Sequence, residues 1–186
     1  MESAWRRGAV LLPILASPPF GVLFVERARH LRRHPGQIGL PGGIFDAADD
    51  EDPERAALRE LREEVGVPAD LVSVVGRLPD VEQWMNRFII TPMVGTLDPE
   101  TRFAVDGEEI AGVFVVPLAE LVAAGAVYED LEIGETRGKP MYAFDFEGRH
   151  IWGLTGRILK SFVDAWSVPH SPLRGAIEAR GVNVGR

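Results

Sequence analysis

The stretch Arg59-Glu60-Leu61-Arg62-Glu63-Glu64-Val65-Gly66-Val67 decides how this chain is read. It closes a run, residues 53–65, whose apolar positions recur at helical spacing. Asp52 suits the N-cap, Pro53 the first helical position and Gly66 a left-handed C-terminal cap. At about 100° per residue the helix divides into stripes. Ala57, Leu58, Leu61 and Val65 are expected to face the core, Arg55, Arg59 and Arg62 form a basic stripe, and Glu60, Glu63 and Glu64 an acidic one. Like charges at this spacing destabilise an isolated helix by about 0.3 kcal/mol per pair. Three such carboxylates alone read as a solvated acidic face. The sharper reading is a divalent-cation site, because carboxylate oxygens suit Mg²⁺ or Mn²⁺ and a bound cation turns their repulsion into attraction. Magnesium usually shares its shell with substrate phosphate, so the spacing predicts phosphate chemistry rather than storage.

The rest of the composition bounds the answer. A length of 186 residues predicts one domain, with residues 167–186 as a loosely packed extension because Pro169, Pro172 and Gly181 fall there. A hydrophobic fraction of 46% and a charged fraction of 26% argue against disorder, collagen-like repeats and a polytopic membrane protein. With 28 acids against 20 bases the formal charge is −8, which speaks against a dominant nucleic-acid-binding role. The excess is uneven: Asp46 to Glu64 holds nine acids and three arginines. The absence of cysteine excludes disulfides, Cys-ligated zinc, iron–sulfur clusters and a Cys nucleophile. No apolar run approaches the ~20 residues of a spanning helix. Arg6 and Arg7 before an apolar run loosely imitate a signal peptide, but Pro13 interrupts it and a second run follows the Pro18-Pro19 turn. Two strands joined by a loop, and a cytoplasmic protein, are therefore expected.

Strands are expected at residues 9–15, 22–25, 72–75, 88–92, 113–116 and 141–146, and helices at 53–65, 117–124 and 154–165. Strands and helices without regular alternation suggest an α+β or layered α/β domain.

The string from Arg59 to Val67, preceded by Pro41-Gly42-Gly43, resembles the Nudix box, in which Arg-Glu-x-x-Glu-Glu-x-Gly follows a glycine and a spaced glutamate. Its five fixed residues Arg59, Glu60, Glu63, Glu64 and Gly66 would co-occur by chance about once in 10⁶ starts. The box places its leading glutamate eight residues before the arginine, at Glu51, but Gly43 then lies two residues too far away. A two-residue insertion within residues 45–50 is inferred. The resemblance implies an α/β/α sandwich around a mixed sheet, and attack of water on one phosphorus of a nucleoside diphosphate derivative. It implies that Glu60, Glu63 and Glu64 bind Mg²⁺ or Mn²⁺, and that Arg59 orients a box carboxylate through an ion pair. It further implies that one of these glutamates or a loop glutamate assists the attacking water. Gly42 and Gly43 would allow close backbone approach.

A longer segment, Leu31-Arg32-Arg33-His34-Pro35-Gly36-Gln37-Ile38-Gly39-Leu40-Pro41-Gly42-Gly43, resembles the signature preceding the box in coenzyme A pyrophosphatases of the Nudix superfamily, with Leu40 where Phe is usual. Leu23 to Arg27, Thr91 to Gly95, Val116-Pro117-Leu118 and Ile151 to Leu159 also fit, with Gly156 replacing an alanine. The resemblance implies hydrolysis of coenzyme A or its derivatives to adenosine 3′,5′-bisphosphate and 4′-phosphopantetheine. Chemistry agrees: residues 26–37 hold Arg27, Arg29, Arg32 and Arg33 against one acid, Glu26, and arginine favours bidentate phosphate contacts. Arg27, Arg32, His34 and Gln37 are expected to touch substrate. Some Nudix enzymes use a loop glutamate as general base near residue 109, which selects Glu109; another glutamate often stands where this chain has Gly112. The loop 81–87 departs from the subfamily, and Trp84 there fills the core or stacks on adenine. The rivals are a Nudix hydrolase of ADP-ribose, NADH or a nucleoside triphosphate, and a catalytically silent nucleotide sensor. Intact Glu60, Glu63 and Glu64 argue against the sensor. The partner is a small nucleotide, with neither nucleic acid nor membrane; homodimers are frequent in the family.

Overall fold

The apolar runs expected as strands lengthen into β1 (Arg6–Leu15), at its N-terminal end, and β2 (Gly21–Arg27), at both ends. This computed structural model describes residues 5–49, 51–83, 87–105, 107–125, 127–129 and 141–183, so Trp84 and Asp50 lie outside the described residues. Short strands β3 (Ile38–Gly39) and β4 (Gly42–Ile44) lead to α1 (Pro53–Val65). Then come β5 (Val72–Arg77), β6 (Val81–Gln83), β7 (Phe88–Leu97) and β8 (Ile110–Pro117). Helix α2 (Leu118–Ala124) is followed by β9 (Val127–Glu129), β10 (Met141–Phe146) and β11 (Arg149–Ile151), which form a separate three-stranded sheet. The chain continues into α3 (Gly153–Ser167) and α4 (Pro172–Glu178).

The large sheet is mixed and runs β3-β2-β1-β7-β5, with β4 on β1, β6 on β7 and β8 on β2. Its centre is a ten-residue parallel pairing of β1 with β7, from Arg6↔Phe88 to Leu15↔Leu97. Alternation along β1 splits the core into two layers. Ala9 and Leu11 pack with Ala57, Leu61 and Val65 of α1. Val10, Leu12 and Ile14 pack with Ile158, Leu159 and Phe162 of α3. Helices on both faces give the expected α/β/α sandwich.

Three local expectations change. β7 runs through Pro92 instead of stopping there. The Pro92 carbonyl accepts from Leu78 N–H, so its missing N–H faces the same side, where the neighbour changes from β6 to β5. A strand tolerates proline where no ladder bond is required. In α1 it is Ala56 rather than Leu58 that is fully buried; Leu58 is half-buried. The tail after Ser167 is not loose in its described part. Ile177 of α4 and Val182 are buried in the α3-side core, and the Ser171 hydroxyl caps α4 by accepting from Arg174 N–H at 3.2 Å. No helix among the described residues is long and apolar enough to cross a membrane.

Candidate active site

Helix α1 positions the acidic stripe, and its ends follow the sequence closely. The Asp52 side chain accepts from Glu54 N–H at 2.9 Å, Pro53 opens the helix, and Gly66 adopts φ 72° while donating to Arg62 O. Glu60 and Glu64 project toward the β4 strand, which pairs with β1 from Val10↔Gly42 to Gly8↔Ile44. A side-chain carbon at Gly43 would meet the end of the Glu60 side chain, so the Glu60 carboxylate would have to shift. Glu64 is buried, at 9% exposure, and accepts from Gly42 N–H at 3.1 Å. Glu60 is half-buried and Glu63 is exposed.

Arg59 organises the cluster. Its Nε donates to Asp49 Oδ1 at 3.0 Å and one terminal nitrogen to Asp49 Oδ2 at 3.0 Å and to Ile44 O at 3.2 Å. The other terminal nitrogen donates to Glu60 at 2.8 Å and Glu63 at 2.9 Å. Asp49 is 2% exposed, in a short 3₁₀ turn (Ala47–Asp49), and a further acid, Asp46, lies 3.5 Å from Arg59. Asp49 is the carboxylate that pairs with Arg59, whereas Glu51, where the leading glutamate of the box falls, is exposed with φ 56°. Counting six residues forward from Gly43 reaches Asp49, so the extra residues lie after the Arg59 partner, not before it.

The electrostatics follow from this packing. The Arg59 hydrogen bonds hold the Asp49 carboxyl below its ordinary range, and Asp49 in turn raises the Arg59 guanidinium. Burial pushes Glu60 up against the counter-effect of Arg59. Burial also pushes Glu64 up, to about 8, opposed by the Gly42 N–H and by Arg27, and reinforced by Glu60 and Glu109. Arg27 and Glu109 are thus electrostatic neighbours of Glu64. The Glu109 carbonyl accepts from Ala28 N–H at 2.8 Å. Gln37 sits at the base of the 28–36 loop, its carbonyl accepting from Arg27 N–H at 3.0 Å. Arg32 and His34 are exposed on that loop.

The chain matches the description of the NUDIX domain over residues 5–135. The chain belongs to the Nudix family. A protein of Yersinia pestis (strain Pestoides F) named "Uncharacterized Nudix hydrolase NudL" is 38% identical over 164 residues, 88% of this chain and 81% of that one. The solved Nudix hydrolase RenU from M. smegmatis is 25% identical, with a TM-score of 0.52 over 65% of this chain and 75% of the other. A MutT/nudix family protein from Enterococcus faecalis shares the fold at 16% identity, with a TM-score of 0.55 over 96% of this chain and 69% of its own. This chain is therefore a Nudix hydrolase acting on a nucleoside diphosphate derivative.

Nudix hydrolases generally need a divalent metal ion, and the donor chemistry here fits one. Glu60, Glu63 and Glu64 offer only oxygens, and burial makes two of them costly as unpaired anions. As they stand, no three acidic or histidine side chains among the described residues converge on one point. Glu60 and Glu63 share their oxygens with Arg59, so an ion competes with that guanidinium for them.

Proposed function

We propose that this Nudix hydrolase cleaves the diphosphate of coenzyme A or its derivatives, giving adenosine 3′,5′-bisphosphate and 4′-phosphopantetheine. The observation that carries this reading is the arginine loop. Arg27 N–H donates to Gln37 O, and Gly36 N–H donates to Arg27 O, so the loop is closed at its base beside Glu64 and Glu109. Its exposed Arg32 and Arg33 stand ready for a phosphate remote from the scissile bond, which coenzyme A carries at its 3′ position. Glu60, Glu63 and Glu64 would hold Mg²⁺ or Mn²⁺. When bound, such an ion polarises phosphoryl oxygens and offsets charge in the transition state. Glu109 is the base that takes a proton from the attacking water. Arg59, locked by Asp49, positions Glu60 and Glu63. His34 and Gln37 complete the substrate-facing loop, and Gly42 and Gly43 let the diphosphate approach the backbone. The cytoplasm is the proposed site of action.

The test is a panel of coenzyme A, 3′-dephospho-coenzyme A, ADP-ribose and NADH with Mg²⁺ or Mn²⁺, products resolved by chromatography. Coenzyme A is expected to give the two named products. Turnover of ADP-ribose or NADH with none of coenzyme A would overturn the substrate assignment. Arg32→Ala is expected to raise KM more for coenzyme A than for its 3′-dephospho form; equal effects would remove Arg32 as reader of the 3′-phosphate.

A further inference from the structure

A cavity of about 510 Å³ opens where the N-terminal end of β1 meets the segment that follows β4. Trp5, Arg6 and Arg7 line it from one segment, and Phe45, Asp46 and Glu51 from the other. Backbone bonds tie the two together: Gly8 pairs with Ile44, and Phe45 N–H donates to Arg7 O at 3.0 Å. The cavity adjoins the acidic cluster. Ile44, also in its lining, gives its carbonyl to Arg59 at 3.2 Å, and the preceding residue, Gly43, lies against the Glu60 carboxylate. A group held here is therefore a neighbour of any diphosphate held at Glu60.

The lining narrows the ligand. A bare phosphate is repelled by Asp46 and Glu51, and the arginines are already engaged: Arg7 stands 3.6 Å from Asp80, and the Arg6 guanidinium lies 5.4 Å from the centre of the Phe88 ring. A wholly apolar group would leave the charged side chains without partners. A flat, neutral heteroaromatic ring suits both. Aromatic and guanidinium planes take its faces, and a carboxylate accepts from its amino edge. Of the two carboxylates, Asp46 already accepts from Ala48 N–H at 2.6 Å and lies 3.5 Å from Arg59. Glu51 is exposed, and its φ of 56° is uncommon for a residue other than glycine. It is also the glutamate that the box spacing singles out, yet Asp49 holds Arg59 in its place.

We propose that this cavity receives the purine base of the substrate, with the ring against Trp5 and Phe45 and an exocyclic amino group donating to Glu51. Glu51 is then a specificity-determining residue and not a metal ligand. The base and the 3′-phosphate are read by separate parts of the chain, since the arginine loop contributes nothing to this cavity. That the base is adenine follows from the coenzyme A reading; that the cavity holds a purine base rests only on hydrolysis of a nucleoside diphosphate derivative.

Calorimetry with Mg²⁺ measures binding of α,β-methylene-ADP and of its inosine counterpart to the unaltered chain, Glu51→Gln and Trp5→Ala. Hypoxanthine carries an oxygen where adenine carries the amino group. Thermal melts report the fold, and paramagnetic resonance reports Mn²⁺ binding. The unaltered chain is expected to prefer the adenine analogue by about ten-fold. Glu51→Gln should lose or reverse that preference, because its amide can donate to the hypoxanthine oxygen. Trp5→Ala should weaken both analogues by about ten-fold, since it removes a stacking face. Methylenediphosphonate, which has no base, should bind all three chains alike, and Mn²⁺ affinity should not change. Equal binding of the two analogues by the unaltered chain, binding of neither, or a preference that survives in Glu51→Gln would each overturn the proposal. A loss of Mn²⁺ affinity in Glu51→Gln would overturn it too, by returning Glu51 to the metal. Failure of coenzyme A as substrate, with the base preference and its loss in Glu51→Gln intact, overturns the substrate assignment and leaves the base site standing.

Discussion

Asp49 holds Arg59 with both carboxylate oxygens at 3.0 Å, and Arg59 in turn holds Glu60 and Glu63. Removing one partner of a shielded pair strands the other, at about 3 kcal/mol or more. Asp49→Ala is therefore expected to lower stability by about 3 kcal/mol, and Glu51→Ala by under about 0.5 kcal/mol because that side chain is exposed. Denaturant unfolding distinguishes them; equal losses would show that Asp49 does not anchor the cluster. Glu63→Gln and Glu64→Gln should instead lower turnover by about 100-fold or more with the fold retained. Near-normal rates in both would refute their metal role. The acidic stripe was legible because helical period alone places it. Asp49 was not legible. Asp46, Asp49, Glu51 and Asp52 are chemically alike, and only the 3₁₀ turn at residues 47–49 decides which of them points inward.

Among the elements, α3 was expected from its period, yet its tightest contact rests on a glycine. A side-chain carbon at Gly156 would run into the Tyr142 carbonyl of β10, so this glycine lets the small sheet settle against the helix. The sequence marked Gly156 only as a departure from alanine, since periodicity reports which face is apolar and not how closely a strand approaches it. Gly156→Ala should therefore destabilise by about 1–3 kcal/mol, although alanine is the better helix former. Gly175 in α4 is the control, with nothing within 4 Å of an added carbon, and Gly175→Ala should stabilise by about 0.5–1 kcal/mol. Thermal melts of the two variants should move in opposite directions. Equal shifts would mean that β10 yields to the methyl group. The same limit explains β7: proline marks a missing donor, but only the sheet shows that its neighbour changes there.

For the molecule as a whole, a formal charge of −8 conceals two groups that respond to pH in opposite senses. Asp49 is held low by Arg59, so its stabilisation is present above its ordinary value of 3.8 and is lost as pH falls through the lower folded value. Glu64 is raised by burial from 4.5 to about 8, so between these values the folded state binds more protons than the unfolded one. Its effect is to reduce stability as pH rises through that window. A divalent ion competes with the Glu64 proton, so its binding should strengthen by up to about ten-fold per pH unit below the folded value. Melting temperatures measured in EDTA should therefore decline from pH 5 toward pH 8 once other titrations are matched by a Glu64→Gln control. The increment produced by saturating Mn²⁺ should grow over the same interval and shrink in Glu64→Gln. An increment independent of pH, or unchanged in that variant, would show that the ion does not displace a proton from Glu64. Burial under Gly42 makes Glu64 reluctant to ionise, and helix α1 brings Glu60 close enough to make that reluctance worse. The acidic segment is thus poised for a cation, and the arginine loop beside it for the phosphates that such a cation would share.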